Sequence, residues 1–95
     1  MRQGKSYIAN LKMNKDMTNL EKYNEIFTEV FGVEASALND SFGKETVDQW
    51  DSVHQLNLVS LLEEAFDIML DPEDIMGFTS YKAGKEILKN QDVEL

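Results

Sequence analysis

Residues 51–66 read DSVHQLNLVSLLEEAF and form a long helical run that is rich in apolar side chains. At about 100° per residue these side chains fill one wide arc of a helix, so we expect this helix to lie against most of the core. The arc contains Leu56, Leu58, Val59, Leu61, Leu62, Ala65 and Phe66. Asn57, Ser60, Glu64 and Asp67 fill the opposite arc, and Val53 falls among them as an exposed apolar residue. Either Asp51 or Ser52 is suited to cap the start of the helix.

A first helix is predicted to begin at Thr18, because Thr18 and Glu21 have the spacing of a capping box. Its apolar face is formed by Leu20, Tyr23, Ile26, Phe27, Val30 and Phe31. Gly32 follows directly and is predicted to end the helix.

A long connection, residues 33–50, separates these two helices, and its apolar residues are spaced like anchors that pin an irregular segment to a core. These anchors are Val33, Leu38, Phe42 and Val47. A short third helix is predicted to start at Asp71-Pro72 and to end at Gly77, since proline is tolerated in a first turn. Thr79 or Ser80 then caps a last helix, which carries Tyr81, Ala83, Ile87 and Leu88.

The predicted fold class is therefore all-α, a small four-helix bundle with three main helices, one short helix and a long loop after the first. Residues 1–17 are expected to be a flexible N-terminal tail, because their apolar positions are scattered and they lack a helix cap. The domain proper should span residues 18–90, and residues 91–95 should form a frayed C-terminal tail.

Length and composition limit the possible functions. A chain of 95 residues makes one small domain with a modest core. The chain contains no cysteine, which excludes disulfides, thiolate nucleophiles and thiolate metal ligands. No apolar run approaches the roughly 20 residues of a membrane span, and the N-terminus lacks the apolar block of a secretory signal. We therefore expect a cytoplasmic protein.

The charge is unevenly distributed along the chain. Residues 1–15 hold Arg2, Lys5, Lys12 and Lys15 without an acid, whereas five lysines against eighteen acids leave residues 16–95 with a formal charge of −13. Nucleic acids and anionic membranes repel such a surface, so neither is an expected partner. Basic protein surfaces are favoured instead.

The spacing of the candidate residues does not support a serine hydrolase site or a calcium-binding loop. A serine hydrolase needs a base beside its nucleophile, but His54, the only histidine, lies two positions after Ser52 on the helix and does not face it. We expect His54 to be a solvated first-turn residue. The acidic stretch DPEDIMGF, residues 71–78, is not a calcium loop, because Ile75 and Lys82 occupy positions that would need oxygen ligands. We expect no catalytic residue and no metal site.

Asp51-Ser52-Val53 resembles the Asp-Ser-Leu signature of the acyl carrier proteins, the phosphopantetheine-binding carrier family. The sequence LNLVSLLEEAFDI, residues 56–68, is similar to the family's second helix, which ends in Leu-Glu-Glu-x-Phe. The FGV at the end of helix 1, the long loop, the short helix at DPEDI and the final helix also fall where the family has them. The resemblance covers residues 18–89, about three quarters of the chain.

The resemblance implies that Ser52 carries a 4′-phosphopantetheine arm, attached from coenzyme A by a phosphopantetheinyl transferase, within the motif that Asp51 and Val53 complete. The thiol of the arm would hold an acyl group as a thioester, which suits a chain that has no thiol of its own. A helix N-terminus also suits the phosphodiester, because its free N–H groups attract anions. The implied partners are acyl-loading and acyl-transfer enzymes of a fatty-acid, polyketide or dedicated pathway, and the carrier is expected to be a monomer.

Partner enzymes with basic patches are expected to dock on the exposed face of this helix. The docking residues would be Val53, Asn57, Ser60, Glu63, Glu64 and Asp67. Asn57 and Ser60 stand where fatty-acid carriers usually have an acid and a large apolar residue, so the usual charged docking pattern is thinner in this chain. Trp50-Asp51-Ser52 resembles carriers of dedicated pathways, and Trp50 is expected to pack at the mouth of the bundle.

Two alternatives remain open at this point. Aminoacyl and peptidyl carriers tend to replace the aspartate of the signature, and Asp51 argues mildly against them. An unmodified helical module that binds a partner through its acidic face would share the same fold.

Overall fold

The computed structural model describes residues 17–95, which form four α-helices. They are α1 (Asn19–Phe31), α2 (Ser52–Phe66), α3 (Pro72–Gly77) and α4 (Tyr81–Asn90). The prediction of an all-α fold with three main helices and one short helix is therefore confirmed. The predicted N-terminal tail lies outside the described residues, apart from Met17.

Local capping sets the helix boundaries at the positions that the sequence predicts. The Thr18 hydroxyl accepts a hydrogen bond from the Glu21 N–H, and the Glu21 carboxylate accepts one from the Thr18 N–H, which completes the capping box of α1. Gly32 ends α1 in the left-handed conformation, with φ of 66°. Asp71 caps α3 and Ser80 caps α4, each through a side-chain oxygen that accepts a backbone N–H.

The core is built around the aromatic ring of Phe27 in α1. Six further rings surround it at centroid distances of 4.9–6.3 Å, namely those of Tyr23, Phe31, Phe42, Trp50, Phe78 and Tyr81. Leu58, Val59 and Leu62 add the buried face of α2. These rings come from α1, the long connection and both ends of the α3–α4 junction, so aromatic packing joins distant parts of the chain.

The long connection is held to this core by its predicted anchors. Phe42 is buried, and Val33, Leu38 and Val47 are half-buried against the core. A short 3-10 helix, Ala35–Ala37, forms within the connection. Trp50 is only 4% exposed, which confirms that it packs within the bundle.

Two predictions about burial are wrong. Leu56 was placed on the core arc of α2 but is 61% exposed, because it lies about 200° around the helix from the fully buried Leu58. Val93 was placed in a frayed tail but is buried. A turn after α4 brings it back onto the core, where the Val93 N–H donates to the Leu88 carbonyl at 2.9 Å.

Within residues 17–95, no helix combines the length and the apolar character needed to cross a bilayer.

Candidate functional site

The start of α2 separates two roles that the sequence left to either Asp51 or Ser52. Asp51 is the cap, because its Oδ1 accepts the His54 N–H at 2.9 Å. Ser52 is the first residue of the helix and is exposed, and its hydroxyl makes no hydrogen bond to the described part of the chain. The structure therefore leaves this hydroxyl free for other chemistry.

His54 is not the solvated first-turn residue that the sequence predicts, because two neighbours hold its ring. Its Nδ1 lies 2.8 Å from the Oδ1 of Asp51, and its ring stacks on Phe31 with the centroids 5.8 Å apart and an interplanar angle of 14°. The side chain is 34% exposed. The first turn of α2 passes over the end of α1, and this crossing brings His54 onto the Phe31 ring.

The carboxylate of Asp51 is held by His54 in two ways. The backbone N–H of His54 and then its side chain donate to Asp51, and these hydrogen bonds hold the pKa of Asp51 below its ordinary value. Asp51 is thus a fixed negative charge beside Ser52. Within residues 17–95 the His54 ring bonds Asp51 and forms no hydrogen bond with Ser52.

Gln55 connects the start of α2 to two other segments. Its Oε1 accepts the indole N–H of Trp50 at 3.2 Å, and its Nε2 donates to the Ile75 carbonyl at 2.6 Å. A single side chain therefore fixes the end of the long connection and the short helix α3 relative to Ser52.

An open groove runs beside Ser52, between the start of α2, the end of α3 and the long connection. Its volume is about 460 Å³, and it is lined by Lys44, Ser52, Gln55, Leu56, Ile75 and Met76. We call it the Ser52 groove. Leu56 is 61% exposed and Met76 is 77% exposed, while the neighbouring Val53 is 68% exposed. The groove therefore has an exposed apolar rim, which is the kind of surface that binds a ligand or a partner.

Lys44 reaches this groove because the long connection is fastened to the α3–α4 junction. The Lys44 N–H donates to the Thr79 carbonyl at 2.9 Å, and the Tyr81 N–H donates to the Phe42 carbonyl at 2.8 Å. The two backbones approach closely at Gly43, where a Cβ atom would lie 2.8 Å from the Thr79 carbonyl oxygen. Only glycine fits without a shift of backbone.

The predicted docking residues share one exposed face, with one exception. Val53, Asn57, Ser60, Glu64 and Asp67 are all exposed. Glu63 is half-buried, and its carboxylate accepts the Leu70 N–H at 2.8 Å. Glu63 therefore fixes the segment that follows α2, in addition to contributing negative charge.

Sequence reasoning missed Lys44, Gln55, Ile75 and Met76 as residues of this site. Lys44 does carry a sequence signal, because it is the only lysine or arginine between Lys22 and Lys82. The others are recognisable only once α3 is placed against α2.

Among residues 17–95, no cluster of three or more acidic or histidine side chains is arranged to hold a metal ion. Comparisons with protein-family models, with curated proteins and with solved structures found no match for this chain.

Proposed function

We propose that this protein is an acyl carrier protein, with a 4′-phosphopantetheine arm on Ser52. The observation that carries the proposal is the division of roles at the start of α2. Asp51 alone caps the helix, so the exposed Ser52 hydroxyl is not needed for the fold. A serine that capped a helix would accept a backbone N–H of the first turn, as the Ser80 hydroxyl accepts the Ala83 N–H.

The residues around Ser52 suit such an arm in size and chemistry. The Ser52 groove offers polar groups and an apolar rim of Leu56, Ile75 and Met76 along its length. The first N–H groups of α2 lie next to the serine, where the phosphodiester would be attached. When attached, the arm supplies the thiol that this cysteine-free chain lacks, and it holds an acyl group as a thioester.

The partners of such a carrier would be the enzymes that attach the arm and those that load and use its acyl group. A phosphopantetheinyl transferase would load the arm: the Ser52 oxygen would lose its proton, attack the pyrophosphate of coenzyme A and displace adenosine 3′,5′-bisphosphate. Acyl-loading and acyl-transfer enzymes of a fatty-acid, polyketide or dedicated pathway would use the arm. Basic surfaces on these enzymes would meet Glu64 and Asp67, with Val53 as an apolar contact beside the arm. A cytoplasmic monomer fits this role.

Intact-mass spectrometry tests the attachment. The purified protein is incubated with coenzyme A and a broad-specificity phosphopantetheinyl transferase, and we expect the mass to increase by one phosphopantetheine group. Ser52→Ala should abolish the increase while circular dichroism shows an unchanged helix content. Ser36→Ala, which removes an exposed serine of the long connection, is the matched control and should be modified like the wild type.

Two results would contradict the proposal. Modification that persists in Ser52→Ala would place the arm elsewhere. A wild-type protein that gains no arm would favour the unmodified interaction module, for which the exposed apolar side chains of Val53, Leu56 and Met76 provide a surface.

A further inference from the structure

We infer that Lys44 is a phosphate-binding residue that pairs with the phosphodiester on Ser52, an inference that rests on the proposed function. Lys44 and Ser52 line the same groove, although they come from the long connection and from α2. Lys44 is the only cationic residue among those that line the Ser52 groove. Lys44 therefore brings a positive charge to the site from outside the Asp51-Ser52-Val53 motif.

The amine of Lys44 is available for such a pair. The residue is exposed, and its side chain forms no hydrogen bond or ion pair with residues 17–95. An ammonium group on a flexible four-carbon stem reaches an anion as a point charge and needs no fixed orientation. The Lys44 ammonium group therefore forms no pair that stabilises the fold of residues 17–95.

The surface of residues 17–95 is strongly acidic, so a single cation beside Ser52 has a large share in the local charge. The phosphodiester would add a negative charge directly after Asp51, in a part of the chain that already has a large excess of acids. Asp51 already contributes a negative charge at this point, and hydrogen bonding to His54 holds the pKa of its carboxyl below the ordinary value. A nearby positive charge offsets the repulsion between the two anions, and Lys44 is the residue placed to supply it.

The backbone fixes where this charge stands. The antiparallel bridge between Gly43 and Ser80, with the hydrogen bond from the Lys44 N–H to the Thr79 carbonyl, fastens the Lys44 backbone to the α3–α4 junction. The side chain of Lys44 therefore extends from a hydrogen-bonded backbone. The close approach at Gly43 thus has a functional result, which is to hold a lysine at the groove.

Thermal unfolding of the apo and holo forms gives a readout that does not depend on the activity of the loaded carrier. Lys44→Ala keeps the backbone N–H that bonds Thr79, so its apo form should fold normally. We expect the holo-minus-apo difference in Tm to be lower by about 2–5 °C in Lys44→Ala than in the wild type, as for one exposed ion pair in a domain of this size. Lys44→Arg should retain the wild-type difference, and 1 M NaCl should reduce the gap between variants.

Lys82→Ala is the matched control, because Lys82 is an exposed lysine of α4 that does not line the Ser52 groove. It removes the same charge and should leave the holo-minus-apo difference unchanged. In transfer kinetics, Lys44→Ala should also raise the KM for the carrier by about two- to five-fold, since the coenzyme A phosphates approach the same cation.

The outcomes separate this inference from the function on which it rests. If the wild type gains no arm, the proposed function fails and the Lys44 assignment falls with it. If the wild type is loaded but Lys44→Ala gives the wild-type Tm difference, the Lys44 assignment alone is refuted. An equal effect from Lys82→Ala would also overturn it, since net charge rather than position would then be responsible.

Discussion

Replacing Gln55 with leucine should loosen the connection between α2, α3 and the segment that carries Trp50. The variant loses two hydrogen bonds, one from the Trp50 indole N–H at 3.2 Å and one to the Ile75 carbonyl at 2.6 Å. The Ile75 carbonyl keeps the Phe78 N–H as a partner, but the buried indole N–H of Trp50 is left without one. Leucine has a similar size and helix propensity, so the change isolates the hydrogen bonds.

The expected loss of unfolding free energy follows from the burial of each of these two hydrogen bonds. A typical hydrogen bond contributes about 1 kcal/mol, and an orphaned buried donor adds to the cost, so we expect destabilisation of about 2 kcal/mol. For a domain of this size that corresponds to a fall in Tm of about 8–16 °C.

Fluorescence provides a second measurement, because Trp50 is the only tryptophan in the chain. Acrylamide should quench the emission of Gln55→Leu more readily than that of the wild type, since the indole loses its partner. Gln49→Leu is the matched control, because Gln49 is exposed in the same segment and its side chain forms no hydrogen bond with residues 17–95. A variant with wild-type Tm and quenching would refute the assignment of Gln55 as the residue that joins these segments.

Two further predictions concern the core and the docking face. Gly84→Ala should lower the free energy of unfolding by about 1–3 kcal/mol, although alanine has the better helix propensity. The new Cβ would lie 2.2 Å from a Phe78 ring carbon and 2.3 Å from the Tyr23 hydroxyl. Urea unfolding measures this change, and a more stable variant would contradict the prediction. Val53→Asp should raise the KM for arm transfer by placing a charge at an apolar contact, and Glu64→Lys should have a smaller effect that weakens with salt. Unchanged kinetics in both variants would place the docking surface elsewhere.

The sequence predicts the helices well because their boundaries depend on neighbouring residues. Thr18 and Gly32 act on backbone groups within one turn, so spacing alone identifies them. At the start of α2 the sequence leaves both Asp51 and Ser52 as possible caps, and the structure assigns the cap to Asp51.

The features that sequence reasoning missed depend on contacts between distant segments. Leu56 belongs to a hydrophobic pattern, but whether that edge of α2 is covered depends on where α3 lies. His54 gains its contact because α2 crosses the end of α1 at Phe31. Val93 is buried because the turn after α4 redirects the chain, and the final residues give no periodic signal of this.

The bridge between Gly43 and Ser80 has a consequence for the order in which the site forms as the chain folds. The cap at Asp51 needs only the first turn of α2, so the serine can be presented as soon as that helix exists. Lys44 takes its place in the Ser52 groove only when Gly43 and Ser80 pair. This pairing requires closure of a long loop, so it comes after the helices and their caps have formed. On the ribosome, Lys44 and Ser52 both emerge before Ser80, so both residues would be exposed before the bridge sets the position of Lys44. The complete Ser52 groove is therefore present only in the finished domain, and an enzyme that recognises the whole groove would distinguish finished chains from nascent ones.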